Sequence, residues 1–175
     1  IRDPENSNSQ TDVAGEINLV ATGSIRMGNV FTNGESVGGN INLTSRTGSV
    51  TSNNLVTESS TRGGAVTINA NSQVSTGNIN SISTNGVGGS IKITSTSQNI
   101  TVNGELTTSG TSQGGDVQLD ARQTITTGAI DSSSTQGSGG NITATSTVGG
   151  INATGTLTSN GASQGGTVQL NARQT

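Results

Sequence analysis

Asp116, Asp120, Arg122 and Asp131 are the nearest approach in this chain to a catalytic set. Carboxylates gathered with a basic residue on one face are what polysaccharide lyases and hydrolases use, one group giving a proton and another taking it up. The chain has no His and no Cys, which removes the commonest general base, the commonest metal ligand and every thiolate site. Asp116 and Asp120 share the outward parity of one short segment, but where that segment recurs their places are taken by Thr167 and Asn171. Acids therefore do not accumulate from copy to copy, and solvated surface charge is the expected role. No catalytic, cofactor-binding or metal-ligating residue is expected, and no cofactor.

Three other chemistries are suggested by the residue types. Calcium-binding β-rolls repeat a glycine- and aspartate-rich nonapeptide. Gly63-Gly64 and its fellows look superficially like it, but the Asp ligands are missing and the period is far longer. Ice recognition asks for regular Thr rows. The outward sites here read Asn42/Thr44, Thr67/Asn69, Lys92/Thr94, Gln118/Asp120, Thr143/Thr145 and Gln169/Asn171, mixing charge and amide into the row. Four Asn-x-Thr sequons, at Asn42, Asn99, Asn141 and Asn152, are what a chain this rich in Asn and Thr produces by chance.

Positioning any of these residues falls to an unusual core. Of 175 residues only one is aromatic, Phe31, and Leu, Ile, Val and Phe together number 35, so a broad core cannot be built. That composition borders on disorder, yet the net charge of −3 supplies no self-repulsion. Seven scattered Lys and Arg and a pI near 4.7 offer no patch for a phosphate backbone, so nucleic acid is not an expected partner. No run approaches 18 apolar residues, so no membrane span is expected, and Ile1-Arg2-Asp3-Pro4 has no signal-peptide pattern.

Spacing decides between disorder and order. Aligned on glycine, the chain reads AGEINLVA (14–21), GGNINLTS (38–45), GGAVTINA (63–70), GGSIKITS (88–95), GGDVQLDA (114–121), GGNITATS (139–146) and GGTVQLNA (165–172). The second glycines, Gly15, Gly39, Gly64, Gly89, Gly115, Gly140 and Gly166, fall 24 to 26 residues apart. A longer repeat is superimposed, since residues 100–124 return as 151–175, so two kinds of coil alternate. Each copy opens with an apolar pair at period two, such as Ile41 and Leu43 or Val117 and Leu119, which is the signature of a strand. A second column follows at Ile25, Val50, Val74, Ile100, Ile125 and Ile151, and a third at Val30, Leu55, Ile79, Leu106, Ile130 and Leu157. The columns hold 25 of the 35 large apolar residues, a placement that only stacked coils would require. Gly and Asn between the second and third columns predict a sharp corner with positive φ. A further column of Thr32, Thr57, Ser81, Thr108, Ser132 and Ser159 places hydroxyls where they can satisfy backbone groups. The expected fold is all-β: a right-handed parallel β-helix of about seven coils of ~25 residues, with three short strands per coil. Residues 1–12 contain the only proline and are expected to be a non-coil lead-in, with 13–175 a single solenoid segment of a longer repeat protein.

The recurrent GG-x-[IV]-x-[LI]-x-[SA] strand, its Gly/Asn turn and its Ser/Thr-rich return resemble the filamentous haemagglutinin-like exoproteins of two-partner secretion, especially their cyanobacterial repeat regions. The resemblance covers essentially residues 13–175. It implies a β-helix shaft exported through an outer-membrane transporter to the cell surface, serving adhesion or filament formation. Its expected partners are flanking repeats or end-to-end copies of the same chain, together with host or matrix carbohydrate or protein. The last copy stops at Gln174-Thr175, where the preceding one continues from Gln123-Thr124 into Ile125, so an unfinished coil is expected there.

Overall fold

The glycine-spaced copies wind into a triangular parallel β-solenoid without helices, described for residues 13–173 by a computed structural model. The expected lead-in at residues 1–12 and the expected unfinished coil at residues 174 and 175 lie outside the described residues. The first coil is β1 (Ile17–Ala21), β2 (Ile25–Arg26) and β3 (Val30–Phe31). The second is β4 (Ile41–Ser45), β5 (Val50–Thr51) and β6 (Leu55–Val56), and the third β7 (Val66–Ala70), β8 (Val74–Thr76) and β9 (Ile79–Asn80). The fourth is β10 (Ile91–Ser95), β11 (Ile100–Val102) and β12 (Leu106–Thr107), and the fifth β13 (Val117–Ala121), β14 (Ile125–Thr127) and β15 (Ile130–Asp131). The sixth is β16 (Ile142–Ser146), β17 (Ile151–Ala153) and β18 (Leu157–Thr158), and β19 (Val168–Ala172) opens a seventh.

Equivalent strands stack into one seven-stranded and two six-stranded sheets, all parallel. Register follows the glycine alignment: Ile41 faces Val66, which faces Ile91, and the row continues through Val117 and Ile142 to Val168. At the ~4.8 Å spacing of paired strands, six intervals make a rod about 29 Å long. The three apolar columns are buried in the middle coils, with the alternation of β4, β7, β13 and β16 running inward, outward, inward, outward, inward. Leu19 (39% exposed), Val168 (43%) and Leu170 (45%) are the exceptions, because a first or last coil has a neighbour on one side only.

Four of the six described third corners are closed by a reciprocal pair of hydrogen bonds. The Gly115 N–H donates to the Thr108 carbonyl at 2.7 Å, and the Thr108 hydroxyl donates to the Gly115 carbonyl at 2.7 Å. Thr32 with Gly39, Thr57 with Gly64 and Ser132 with Gly140 repeat both bonds. Ser81 and Ser159 keep the N–H bond but send the hydroxyl to the preceding coil, onto Gly64 and Gly140. The hydroxyl column therefore does satisfy buried backbone groups, as its position predicts.

The corners differ from expectation in one respect. Among the described residues no glycine and no other residue adopts positive φ. Close approach, not left-handed backbone, selects glycine: a Cβ on Gly115 would run into the Gly89 carbonyl of the coil before, and one on Gly114 into the Ser132 carbonyl. The alternation of two coil types has a physical basis as well. Strands of the first sheet end alternately in Ala21, Ser45, Ala70, Ser95, Ala121, Ser146 and Ala172. The hydroxyls of Ser45, Ser95 and Ser146 donate to the carbonyls of Gly23, Ser72 and Gln123 in the preceding coil, at 2.8, 2.6 and 2.6 Å.

Two measurements test this packing. Ile91 is 1% exposed in an aliphatic stack, so Ile91→Asp should cost several kcal/mol in denaturant unfolding, and parental stability would refute the column. Ser52 Oγ and Thr127 Oγ1 are buried without a hydrogen-bond partner among the described residues. Thr127→Val, which keeps the shape and removes the hydroxyl, should stabilise by about 1 kcal/mol.

Candidate functional site

Outward side chains form three axial faces, one per sheet. The first carries Asn42, Thr67, Lys92, Gln118 and Thr143 in one row and Thr44, Asn69, Thr94, Asp120 and Thr145 in the next. The third carries Phe31, Val56, Asn80, Thr107, Asp131 and Thr158. The second carries Arg26, Thr51, Ser75, Thr101, Thr126 and Asn152.

Of the four residues that the sequence offers for catalysis, the solenoid keeps Asp120 and Arg122 at one corner and sends Asp116 and Asp131 elsewhere. Asp116 precedes β13 and its Oδ1 accepts the Asn141 N–H of the next coil at 2.7 Å. Asn40 and Asn141 do the same for the N–H groups of Ala65 and Thr167, so Asp116 occupies a structural slot that an amide fills equally well. Asp120 accepts from the Gln118 side chain at 2.7 Å. Asp131 lies on the third face, where its Oδ1 accepts the Ser133 N–H at 3.0 Å. No two of these carboxylates are joined by a hydrogen bond, and among the described residues no three His, Cys, Asp or Glu side chains are grouped to hold a metal ion.

Concavities are shallow. Asp120 and Arg122 share a trough of about 480 Å³ with Thr94, Thr96, Thr145 and Thr147 at the corner between the first and second sheets. A continuation of about 390 Å³ shares Thr145 and Thr147 and ends at Arg173. Asp116 lies elsewhere, in a groove of about 300 Å³ along the diglycine corner with Arg62 and Gln113. The trough can offer hydrogen bonds to a polar chain lying along the axis, but it encloses nothing and places no acid opposite a base.

Sequence reasoning weighed the first face and passed over the second. Its row was legible nevertheless, in the hydroxyl that follows each second-column residue in Val50-Thr51, Val74-Ser75, Ile100-Thr101 and Ile125-Thr126. Comparison with protein-family models, with curated proteins and with solved structures returned no match.

The slot filled by Asp116 gives a clean test. Asp116→Asn keeps the accepting oxygen and should leave the unfolding midpoint unchanged, whereas Asp116→Ala strips the Asn141 N–H of its partner and should cost about 1 kcal/mol.

Proposed function

We propose that this chain is a stretch of structural shaft from a secreted bacterial adhesin or surface filament, and that it performs no catalysis. The observation that carries this reading is the uninterrupted ladder: every described coil is bonded to the next along the stacked sheets, while Asp116, Asp120 and Asp131 are each spent on a separate hydrogen bond. A rod built this way resists bending and proteolysis, since no long loop interrupts it. Its work is to hold something at a distance, or to run alongside other rods. The resemblance to filamentous haemagglutinin-like exoproteins supports the same reading and adds an outer-membrane transporter as export partner and the cell surface as destination.

A second reading, direct binding of carbohydrate or protein along the shaft, is favoured by the hydroxyl-rich trough that runs from Thr94 to Arg173. Alanine substitution of Arg122, Asp120 and Phe31 separates the two. A spacer keeps its host-cell or matrix attachment in all three variants, and a binding face loses it in at least one.

Two outcomes are expected of the parent chain. Small-angle scattering should give a rod whose length grows by about 4.8 Å per coil added. Incubation with acidic and neutral polysaccharides should release no oligosaccharide, and turnover abolished by Asp120→Asn would overturn the non-catalytic assignment.

A further inference from the structure

The three faces differ in charge. Lys92 and Asp120 interrupt the first and Asp131 the third, but from the second coil to the sixth the outward row of the second sheet is Thr51, Ser75, Thr101, Thr126 and Asn152, without a charge. The inward partners alternate with it, so that Val74 and Thr76 are buried on either side of Ser75, and Ile100 and Val102 on either side of Thr101. The result is a strip of small polar side chains, half-buried from Thr51 to Thr126 and exposed at Asn152.

Charge reappears at its two rims. Arg122 stands at the corner before β14, and Glu105, exposed, at the corner after β11. They lie about equally far on either side of the central row, four residues before Thr126 and four after Thr101, and one coil apart along the axis.

We infer that this face is a lateral docking surface for a second copy of the chain, lying parallel to the first. Three arguments select that occupant. Charged side chains are depleted from the cores of protein interfaces because desolvating them is costly, and beyond Arg26 in the first coil the outward row of this face lacks them. A second copy has the same axial repeat, so rows of hydroxyls at ~4.8 Å stay in step over the whole contact, which a partner of another period cannot do. A two-fold axis along the shaft direction sets the Arg122 rim of one copy against the Glu105 rim of the other, whereas an antiparallel pair would set Arg122 against Arg122. The parallel arrangement follows from the charges.

At three residues per strand the strip is about 10 Å wide and, over five coils, about 24 Å long, which gives ~240 Å² per copy and ~480 Å² in all. That is below the size of a stable interface, so copies of this length associate weakly and reversibly. Each further coil adds ~50 Å² per copy, and a longer shaft holds its neighbour correspondingly more tightly. The inference rests on the shaft reading and specifies which side of the shaft meets another.

The absence of native Cys makes the test simple. Thr101→Cys, Thr143→Cys and Thr107→Cys each place one thiol, on the second, first and third faces in turn, and a short bis-maleimide reports which faces meet. Dimer is expected from Thr101→Cys alone, rising with protein concentration. Thr51→Cys should also cross-link to itself, because in parallel shafts it meets its own counterpart, while in centred antiparallel shafts it would meet Asn152. In sedimentation equilibrium of the full chain, Thr101→Lys should weaken association at least tenfold. Arg122→Glu should weaken it, and Arg122→Glu with Glu105→Arg should restore it. Equal cross-linking from all three faces, a strictly monomeric chain, or association indifferent to Thr101→Lys would overturn the inference. A monomer that restrains ice growth, or that is retained on a polysaccharide through Thr101, would give the face to that ligand instead. Rod dimensions from scattering on the same samples test the shaft reading separately.

Discussion

Everything else in this molecule depends on the closure of each coil across the third corner, where a glycine N–H donates to the carbonyl of a hydroxyl residue. At four of the six described corners that hydroxyl donates back to the glycine carbonyl. The segment between them, Ser109 to Gly114 in the fourth-to-fifth coil passage, is polar and contains two glycines, and nothing in its own sequence would bring its ends together. Thr108 and Gly115 do so with two bonds of 2.7 Å, shielded from water. Buried bonds of this kind contribute roughly 1 kcal/mol each and cost more than that when one partner is left alone. The exchange also explains the diglycine: its N–H and carbonyl must come within bonding distance of a second strand while a third coil passes beside them, and a Cβ has no room. With the corner closed, the thin columns of Ile, Val and Leu are held in line, and a chain with one aromatic residue gains a continuous dry interior.

The same constraint decided how much could be read from sequence. The columns were legible because burial enforces them: Ile91 must be apolar and must recur, so period, strand parity and register could all be placed from glycine spacing. The hydroxyl column was legible for the same reason. The cause of the glycines was not, because a turn requiring positive φ and a corner requiring close approach select the same residue, and only the backbone distinguishes them. The two coil types could be seen as a repeat of about fifty residues, but the hydrogen bonds of Ser45, Ser95 and Ser146 behind it depend on which neighbouring carbonyl lies within reach. Outward rows were the least legible, since solvent tolerates many residue types there. Attention went to Asp116 and Asp120 as acids, and the uncharged face went unweighed.

A solenoid also settles what its charges can do. Residues close in sequence are sent to different faces, as Asp120 and Asp131 are, and residues on one face are brought together only if they recur at the coil period. Catalytic groups on such a scaffold would have to be written into successive copies at one position. In this chain the position of Asp116 is written elsewhere as Glu16, Asn40, Ala65, Ser90, Asn141 and Thr167, and only Asn40 and Asn141 make the same backbone bond.

Most serine bonds between coils reach backward, with the Ser132 hydroxyl, 3.4 Å from the Thr158 carbonyl of the following coil, as an exception. Ser45, Ser95 and Ser146 each reach back to a carbonyl of the coil before, and Ser81 and Ser159 do likewise at the other corner. The acceptors are therefore already in place when the donors arrive, provided the chain is laid down from its amino terminus. At two of its corners, each coil thus offers the next a ready-made row of acceptors.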